Sequence, residues 1–200
     1  MIKPYQVTKE SRYLGLPLGF GFLGATYLLS AVIYAQPQLF GNSTIYFQLF
    51  VRNFAFIFLC VTYYFSRKSP ENTRSLWNIT FAGLFIAIIV LFIILNIPEI
   101  SLPSYRLTSI YSRCFNLIFI FYICVHTIRS HLESSNSDTL WTPFGYIFLG
   151  MSQYLVIIFA SDDSLTAFFS GLAFRWIGFA LFLYVSFKSF YSFKKKENSK

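Results

Sequence analysis

Three arginines lie inside otherwise apolar stretches of the sequence. They are Arg52, Arg113 and Arg175, and they follow one another at intervals of 61 and 62 residues. A charged side chain at membrane depth costs roughly 2.5 to 3.5 kcal/mol unless it faces protein, water or an anion. Because a guanidinium binds planar oxyanions such as carboxylates and phosphates, these residues are candidates for an anion-binding site.

Helical spacing predicts which side chains share a face with each arginine. This face carries small or polar residues, whereas the opposite face carries bulky groups that suit lipid, such as Phe58, Phe115 and Tyr184. We therefore expect the arginines to point toward the interior of a helical bundle. The polar residues that complete the candidate site, four before or three after an arginine, are Gln48, Ser109 and Asn116.

The three arginines have more than one interpretation. They are either structural clasps, which hydrogen-bond groups of a neighbouring hairpin or reach external headgroups, or a ring that coordinates an anionic ligand. A carboxylate supplied by a partner subunit is a third alternative. All eight acidic residues lie outside the apolar stretches or at their edges, so we expect no buried counter-ion from this chain.

The composition is that of a membrane protein. Hydrophobic residues make up 56% of the 200 residues and charged residues only 12%, against about a quarter charged in soluble proteins. Six apolar stretches approach the ~20 residues that cross a bilayer. They cover residues 13–34, 46–66, 76–96, 105–128, 141–160 and 165–192. The connections between them are too short for a separate catalytic or nucleotide-binding domain.

The distribution of the basic residues predicts how the chain is oriented in the membrane. Lys and Arg are concentrated in the N-terminal segment, the second and fourth connections and the C-terminal end, which predicts cytoplasmic termini in the cell membrane. The net charge of +8 therefore reflects orientation in the membrane rather than nucleic-acid binding. In a basic cytoplasmic tail at 193–200, we expect Lys194, Lys195 and Lys196 to contact anionic lipid headgroups.

An internal repeat organises the spans. Residues 17–26, PLGFGFLGAT, match residues 143–152, PFGYIFLGMS, at six of ten positions when Thr is counted with Ser. With the arginine spacing, this predicts one all-α transmembrane domain, a six-helix bundle of three tandem hairpins in the same orientation. The domain covers residues 1–200, with hairpins at about 13–66, 76–128 and 141–192. Glycines that let helices approach closely in lipid are expected at Gly19, Gly24, Gly145 and Gly150.

The motifs of familiar enzyme chemistry are absent from the sequence. There is no HExxH, GxSxG or P-loop, and the only histidines, His126 and His131, do not form a metal-ligand cluster. We therefore expect a protein that is not an enzyme and that holds no metal and no cofactor. Asn42, followed by Ser43 and Thr44, fits a glycosylation acceptor in an external loop, although such triplets are common by chance.

Six spans built from three hairpins resemble the plan of the mitochondrial carriers. In that family Pro is followed two residues later by an acid, whereas here Gly19 and Gly145 follow Pro17 and Pro143. This resemblance is limited to architecture and implies no transport function. The chain is also similar to small, uncharacterised six-span membrane proteins of archaea and bacteria and to the membrane sensing modules of signalling enzymes, which favours sensing.

These observations favour a non-enzymatic multi-pass membrane protein that is an embedded ligand-sensing module or an accessory subunit of a larger membrane complex. The expected partners are the lipid bilayer, an anionic ligand or lipid, and other membrane-protein subunits. A small transporter or channel for an anionic or amphipathic solute, with the arginines as its site, is the alternative. An enzyme that acts on a lipid through unrecognised residues is the third candidate.

Overall fold

The computed structural model describes residues 15–36, 38, 41–66, 70–97, 102–134 and 140–197. Within these ranges the protein is helical and contains no strand. Its helices are α1 (Gly15–Ala35), α2 (Asn42–Ser66), α3 (Pro70–Leu95), α4 (Tyr105–Ser134), α5 (Trp141–Asp162) and α6 (Leu165–Glu197).

Each of these helices is long and apolar enough to cross a membrane, which indicates a multi-pass membrane protein, as the composition predicts. Their mean hydropathy runs from 1.5 to 2.8. Several helices extend beyond the apolar spans: α3 begins at Pro70, α4 ends at Ser134 and α6 ends at Glu197. Proline is tolerated at the first position of a helix because the backbone N–H that it lacks has no intrahelical acceptor there.

A two-residue turn joins α5 to α6. Asp163 has a φ of 53°, in the left-handed region, and its backbone N–H donates to the Phe159 carbonyl oxygen at 2.9 Å. This bond ends α5 in the manner of a left-handed C-terminal cap. Ser164 then precedes α6, and its Oγ atom accepts from the backbone N–H of Ala167 at 3.4 Å. The chain therefore reverses direction within two residues.

The chain divides into two compact units, Met1–Phe115 and Asn116–Lys200, and the boundary falls within α4. The first unit contains α1, α2, α3 and the beginning of α4. The second contains the remainder of α4 with α5 and α6. A single domain over 1–200 remains a prediction.

An aromatic core joins the first three helices of the first unit. Phe22 of α1 stacks on Phe58 of α2 with ring centroids 5.5 Å apart. From α3, Phe81 and Phe85 contact the Phe58 ring at 5.4 and 5.7 Å. Phe58 is fully buried, so the expectation that it faces lipid is wrong, because α3 covers that side of α2.

From Phe81 onward, the exposed surface of α3 is apolar. This helix has the highest mean hydropathy, 2.8, and its exposed side chains include Ile79, Ile86 and Ile93. Such side chains suit contact with acyl chains.

Glycines set the close approach of α5 and α6 in the second unit. A Cβ atom at Gly178 would lie 3.0 Å from the carbonyl oxygen of Gly145, and one at Gly145 would lie 2.8 Å from the Phe182 ring. Tyr146 packs on the same ring with centroids 4.7 Å apart and is fully buried. Small residues at a helix contact allow the dispersion contacts that hold helices together in lipid.

Two of the three predicted hairpins are packed helix pairs. α1 packs against α2, and α5 packs against α6. α3 packs along α2 instead, and in the described ranges its backbone has at most marginal close contact with α4. The aromatic residues that α3 shares with α2 account for this pairing, and the triplication remains a prediction.

We expect Gly19→Ala to destabilise the first unit. A Cβ atom at Gly19 would lie 2.7 Å from two side-chain carbons of Leu59 and 3.3 Å from the Ala55 carbonyl oxygen, and overpacking of this kind costs about 1 to 3 kcal/mol. Gly24→Ala is the matched control, because nothing lies within 4 Å of a Cβ atom there, and alanine favours a helix by up to ~1 kcal/mol. Thermal unfolding in mild detergent measures both. A melting temperature of Gly19→Ala at or above that of the wild type would contradict this packing.

Candidate functional site

A polar cluster lies between α1 and α2, and we call it the arginine centre: Tyr27, Ser30, Gln48 and Arg52. Gln48 and Arg52 are buried, and Tyr27 and Ser30 are half-buried. Arg52 is 5% exposed, and its Nη2 atom donates to Ser30 Oγ at 3.2 Å. Its guanidinium carbon lies 4.5 Å from the centroid of the Tyr27 ring, within the range of a cation–π interaction. Gln48 Nε2 also donates to Ser30 Oγ. A hydroxyl group and an aromatic ring of α1 therefore hold the guanidinium of α2.

Helical periodicity brings these four side chains together. Gln48 and Arg52 are one turn apart on α2, and Tyr27 and Ser30 are three residues apart on α1. The Ser30 hydroxyl donates to the Thr26 carbonyl oxygen at 2.9 Å. The lone pairs of Ser30 Oγ are then available to accept hydrogen bonds from Gln48 and Arg52. One serine hydroxyl therefore accepts from both donors of α2.

The beginning of α4 lies beside α2 and runs in the same direction. Near the start of α2, the Tyr46 ring contacts the Tyr105 ring with centroids 5.7 Å apart, and the Tyr46 hydroxyl donates to the Pro103 carbonyl oxygen. Further along both helices, Ser112 Oγ donates to Asn53 Oδ1 at 2.6 Å. These two contacts set the register of the two helices.

This register places Arg113 at the level of Arg52, because their chain neighbours Ser112 and Asn53 are hydrogen-bonded. Arg113 is 7% exposed, and its Nε atom donates to Ser109 Oγ at 3.1 Å. Two of the three arginines are therefore buried at one height of the first unit. Gln48 and Ser109, both predicted for the site, are also buried there.

The third arginine belongs to the second unit. Arg175 is partly buried, and its Nε atom donates to Ser152 Oγ of α5 at 3.2 Å. Asn116, which was also predicted for the site, lies fully buried in the second unit. A ring of all three guanidinium groups therefore remains a prediction.

The contacts of Arg52 and Arg175 share one design. Each donates to a serine on the preceding helix of its packed pair, 22 residues earlier for Arg52 and 23 residues earlier for Arg175. Arg113 differs, because Ser109 lies on its own helix. The two inter-helix contacts support the interpretation of Arg52 and Arg175 as clasps between helices.

Two serines of the site are missing from the sequence-based prediction. Ser30 lies on another helix, far along the chain from Arg52, and Ser112 directly precedes Arg113, so neither lies at helical spacing from an arginine. One signal could have found both. A hydroxyl group inside an apolar span has no water to bond and needs a partner within the protein.

The other predicted positions have varied surroundings. Gly19 and Gly145 lie at close helix contacts, and a Cβ atom at Gly150 would be in ordinary contact with Ile120 at 3.4 Å. At Gly24, no heavy atom of the described chain lies within 4 Å of a Cβ position. Four predicted residues have side chains outside the described part, Asn42 in α2 and Lys194, Lys195 and Lys196 in α6. Among the described residues, no group of three or more His, Cys, Asp and Glu could hold a metal ion.

No protein-family model matches the chain, and comparisons with curated proteins and with solved structures give no match either. The six helices define a class, the multi-pass membrane proteins, but a fold class does not imply an activity. The positions and chemistry of the polar residues are accordingly the basis for a functional assignment.

We expect Ser30 and Arg52 to be energetically coupled. In a double-mutant cycle of Ser30→Ala and Arg52→Gln, the coupling energy should be about 0.6 kcal/mol and at most ~1.7 kcal/mol, the range of hydrogen bonds between membrane helices. The same cycle with Ser152→Ala and Arg175→Gln should give a similar value, because the contact is alike. Unfolding in mixed detergent micelles measures both, and strictly additive effects would show that the clasps contribute nothing.

Proposed function

We propose that this protein is a non-enzymatic ligand-binding module of the cell membrane, which acts as a sensor or as an accessory subunit of a larger membrane complex. In this proposal Arg52 and Arg113 bind an anionic ligand. One observation carries it: two guanidinium groups, 5% and 7% exposed, lie at one level of the first unit. Ionisable residues inside membrane-spanning helices commonly mark functional sites.

The contacts described for the two arginines orient their guanidinium groups. Ser30, Ser109 and the ring of Tyr27 are uncharged. Both groups carry a positive charge at one level of an apolar group of helices, where a low dielectric strengthens their attraction for an anion. A bound anion would form charge-assisted hydrogen bonds with both groups.

The class of ligand follows from the geometry of the guanidinium group. Its planar array of N–H donors pairs with two oxygens of a carboxylate or phosphate. The amide of Gln48, one turn from Arg52, could add a neutral hydrogen bond to a further oxygen. A soluble carboxylate and a lipid phosphate share this oxyanion chemistry.

The enclosure of the arginines supports binding rather than conduction. A permanently open pore exposes the charged groups of its lining to water. Arg52 and Arg113 are almost fully enclosed by protein instead. A ligand held between α1, α2 and α4 would change how these helices pack, which is the signal that a sensor or an accessory subunit transmits.

We expect Arg113→Gln to weaken anion binding roughly 10- to 100-fold, because a hydrogen bond to a charged group contributes about 1.5 to 3 kcal/mol. Arg52→Gln should act in the same direction. Arg106→Gln is the matched control, since Arg106 is exposed at the start of α4. The probes are inorganic phosphate, succinate and a short-chain phosphatidic acid, measured by calorimetry and native mass spectrometry in mild detergent. Equal affinities of the wild type and both buried-site variants for every probe would overturn the proposal.

Reconstituted vesicles separate binding from transport. For wild-type protein we expect no uptake of phosphate or succinate above that of protein-free vesicles. Uptake that Arg113→Gln abolishes, with Arg106→Gln unaffected, would assign the arginines to a transport pathway for anionic solutes instead.

The proposal includes cytoplasmic termini. Six crossings return the chain to the side on which it began, and the basic residues at both ends favour the cytoplasmic side. Green fluorescent protein fused after Lys200 should therefore be fluorescent, and alkaline phosphatase fused there should be inactive. Fusions within the connection between α4 and α5 should behave alike, whereas an active phosphatase at Lys200 would reverse the assigned orientation.

A further inference from the structure

Asn116 carries an amide group that the described part of the chain leaves without a hydrogen-bond partner. Its side chain is fully buried, and within the described residues neither Oδ1 nor Nδ2 is bonded. Buried polar groups in native proteins nearly always have a partner, because an unsatisfied donor or acceptor loses its hydration without compensation. The unbonded Oδ1 and Nδ2 atoms of this amide therefore indicate a bound molecule.

The position of Asn116 excludes the usual sources of a partner. It lies roughly 16 Å along α4 from Tyr105, at about 1.5 Å per residue. The apolar core of a bilayer is about 30 Å thick, so with Tyr105 at one membrane surface we expect Asn116 near the middle of the core. Acyl chains offer no hydrogen bonds there, and a fully buried side chain is out of contact with bulk water. A partner has to be enclosed together with the residue.

α5 lies beside this part of α4. A Cβ atom at Gly150 would lie 3.4 Å from the side chain of Ile120, which is one turn after Asn116. Two and three residues after Gly150 on α5, Ser152 and Gln153 are also fully buried. The interior of the second unit therefore contains neutral polar side chains from two helices.

We propose that Asn116 forms a closed binding site for a neutral hydroxyl group, supplied by an ordered water molecule or by a small alcohol. A hydroxyl group both donates and accepts, so it can bond Oδ1 and Nδ2 of one amide. An anion does not suit this site, because Oδ1 can only accept. This proposal does not rest on anion binding at Arg52 and Arg113.

The wild-type protein itself tests this site. With ¹⁵N-labelled asparagine in mild detergent, we expect magnetisation transfer from the Asn116 side-chain NH₂ protons to a long-lived bound water. If an alcohol is bound instead, the transfer reaches its C–H protons, and native mass spectrometry detects a compound that co-purifies with the protein. The absence of both the water signal and a retained compound would overturn the proposal.

Asn116→Leu assigns the signal and provides a second readout. A leucine of similar volume cannot bond a hydroxyl group, so its melting temperature should fall by roughly 2 to 8 °C. A rise would mean that the wild-type amide is unsatisfied, which would also overturn the proposal. Asn78→Leu on α3 is the matched control, because Asn78 is exposed and belongs to the first unit, and it should leave the Asn116 NH₂ signal unchanged. If Asn116→Leu does not fold, Asn116→Ser assigns the NH₂ signal.

Discussion

A positive charge inside an apolar group of helices is the constraint on which the first unit depends. Arg52 is almost fully buried, and α1 presents Ser30 and Tyr27 to it. These contacts set the register of α1 against α2. Once Ser30 lies opposite Arg52, Phe22 lies opposite Phe58, and the aromatic core forms around that ring. One polar contact therefore positions apolar contacts two turns away.

Different kinds of side-chain contact hold the helices together in the two units. In lipid there is little hydrophobic drive between helices, so packing has to supply the stabilisation. In the first unit, large aromatic rings of α3 pack around Phe58, and edge-to-face contacts add to dispersion. In the second, Gly145 and Gly178 allow the backbones of α5 and α6 to approach closely. The α1–α2 pair and the α5–α6 pair nevertheless each contain an arginine that donates a hydrogen bond to a serine.

The helices and the buried face around the arginines could be predicted from the sequence. Apolar runs of spanning length leave little choice of structure in a bilayer, because an unsatisfied backbone group there is too costly. The polar residues at helical spacing from an arginine, Gln48, Ser109 and Asn116, are all buried.

What the sequence could not predict depends on contacts between distant residues. A phenylalanine that faces lipid and one that faces another helix have the same hydropathy. The hydropathy pattern therefore could not predict that α3 buries Phe58. For the same reason, the hydropathy pattern could not predict that α3 packs against α2. The sequence could not predict the partner of Arg52 either, because Ser30 is 22 residues away and on another helix.

The short turn at Asp163 affects how the chain enters the membrane during synthesis. Two residues are the whole link between α5 and α6, so no loop remains to be translocated after α5 has settled. We therefore expect both helices to insert together as a helical hairpin. In such a hairpin, Ser152 would be available to the Arg175 guanidinium, to which it is bonded in the folded protein, as soon as the two helices enter the membrane.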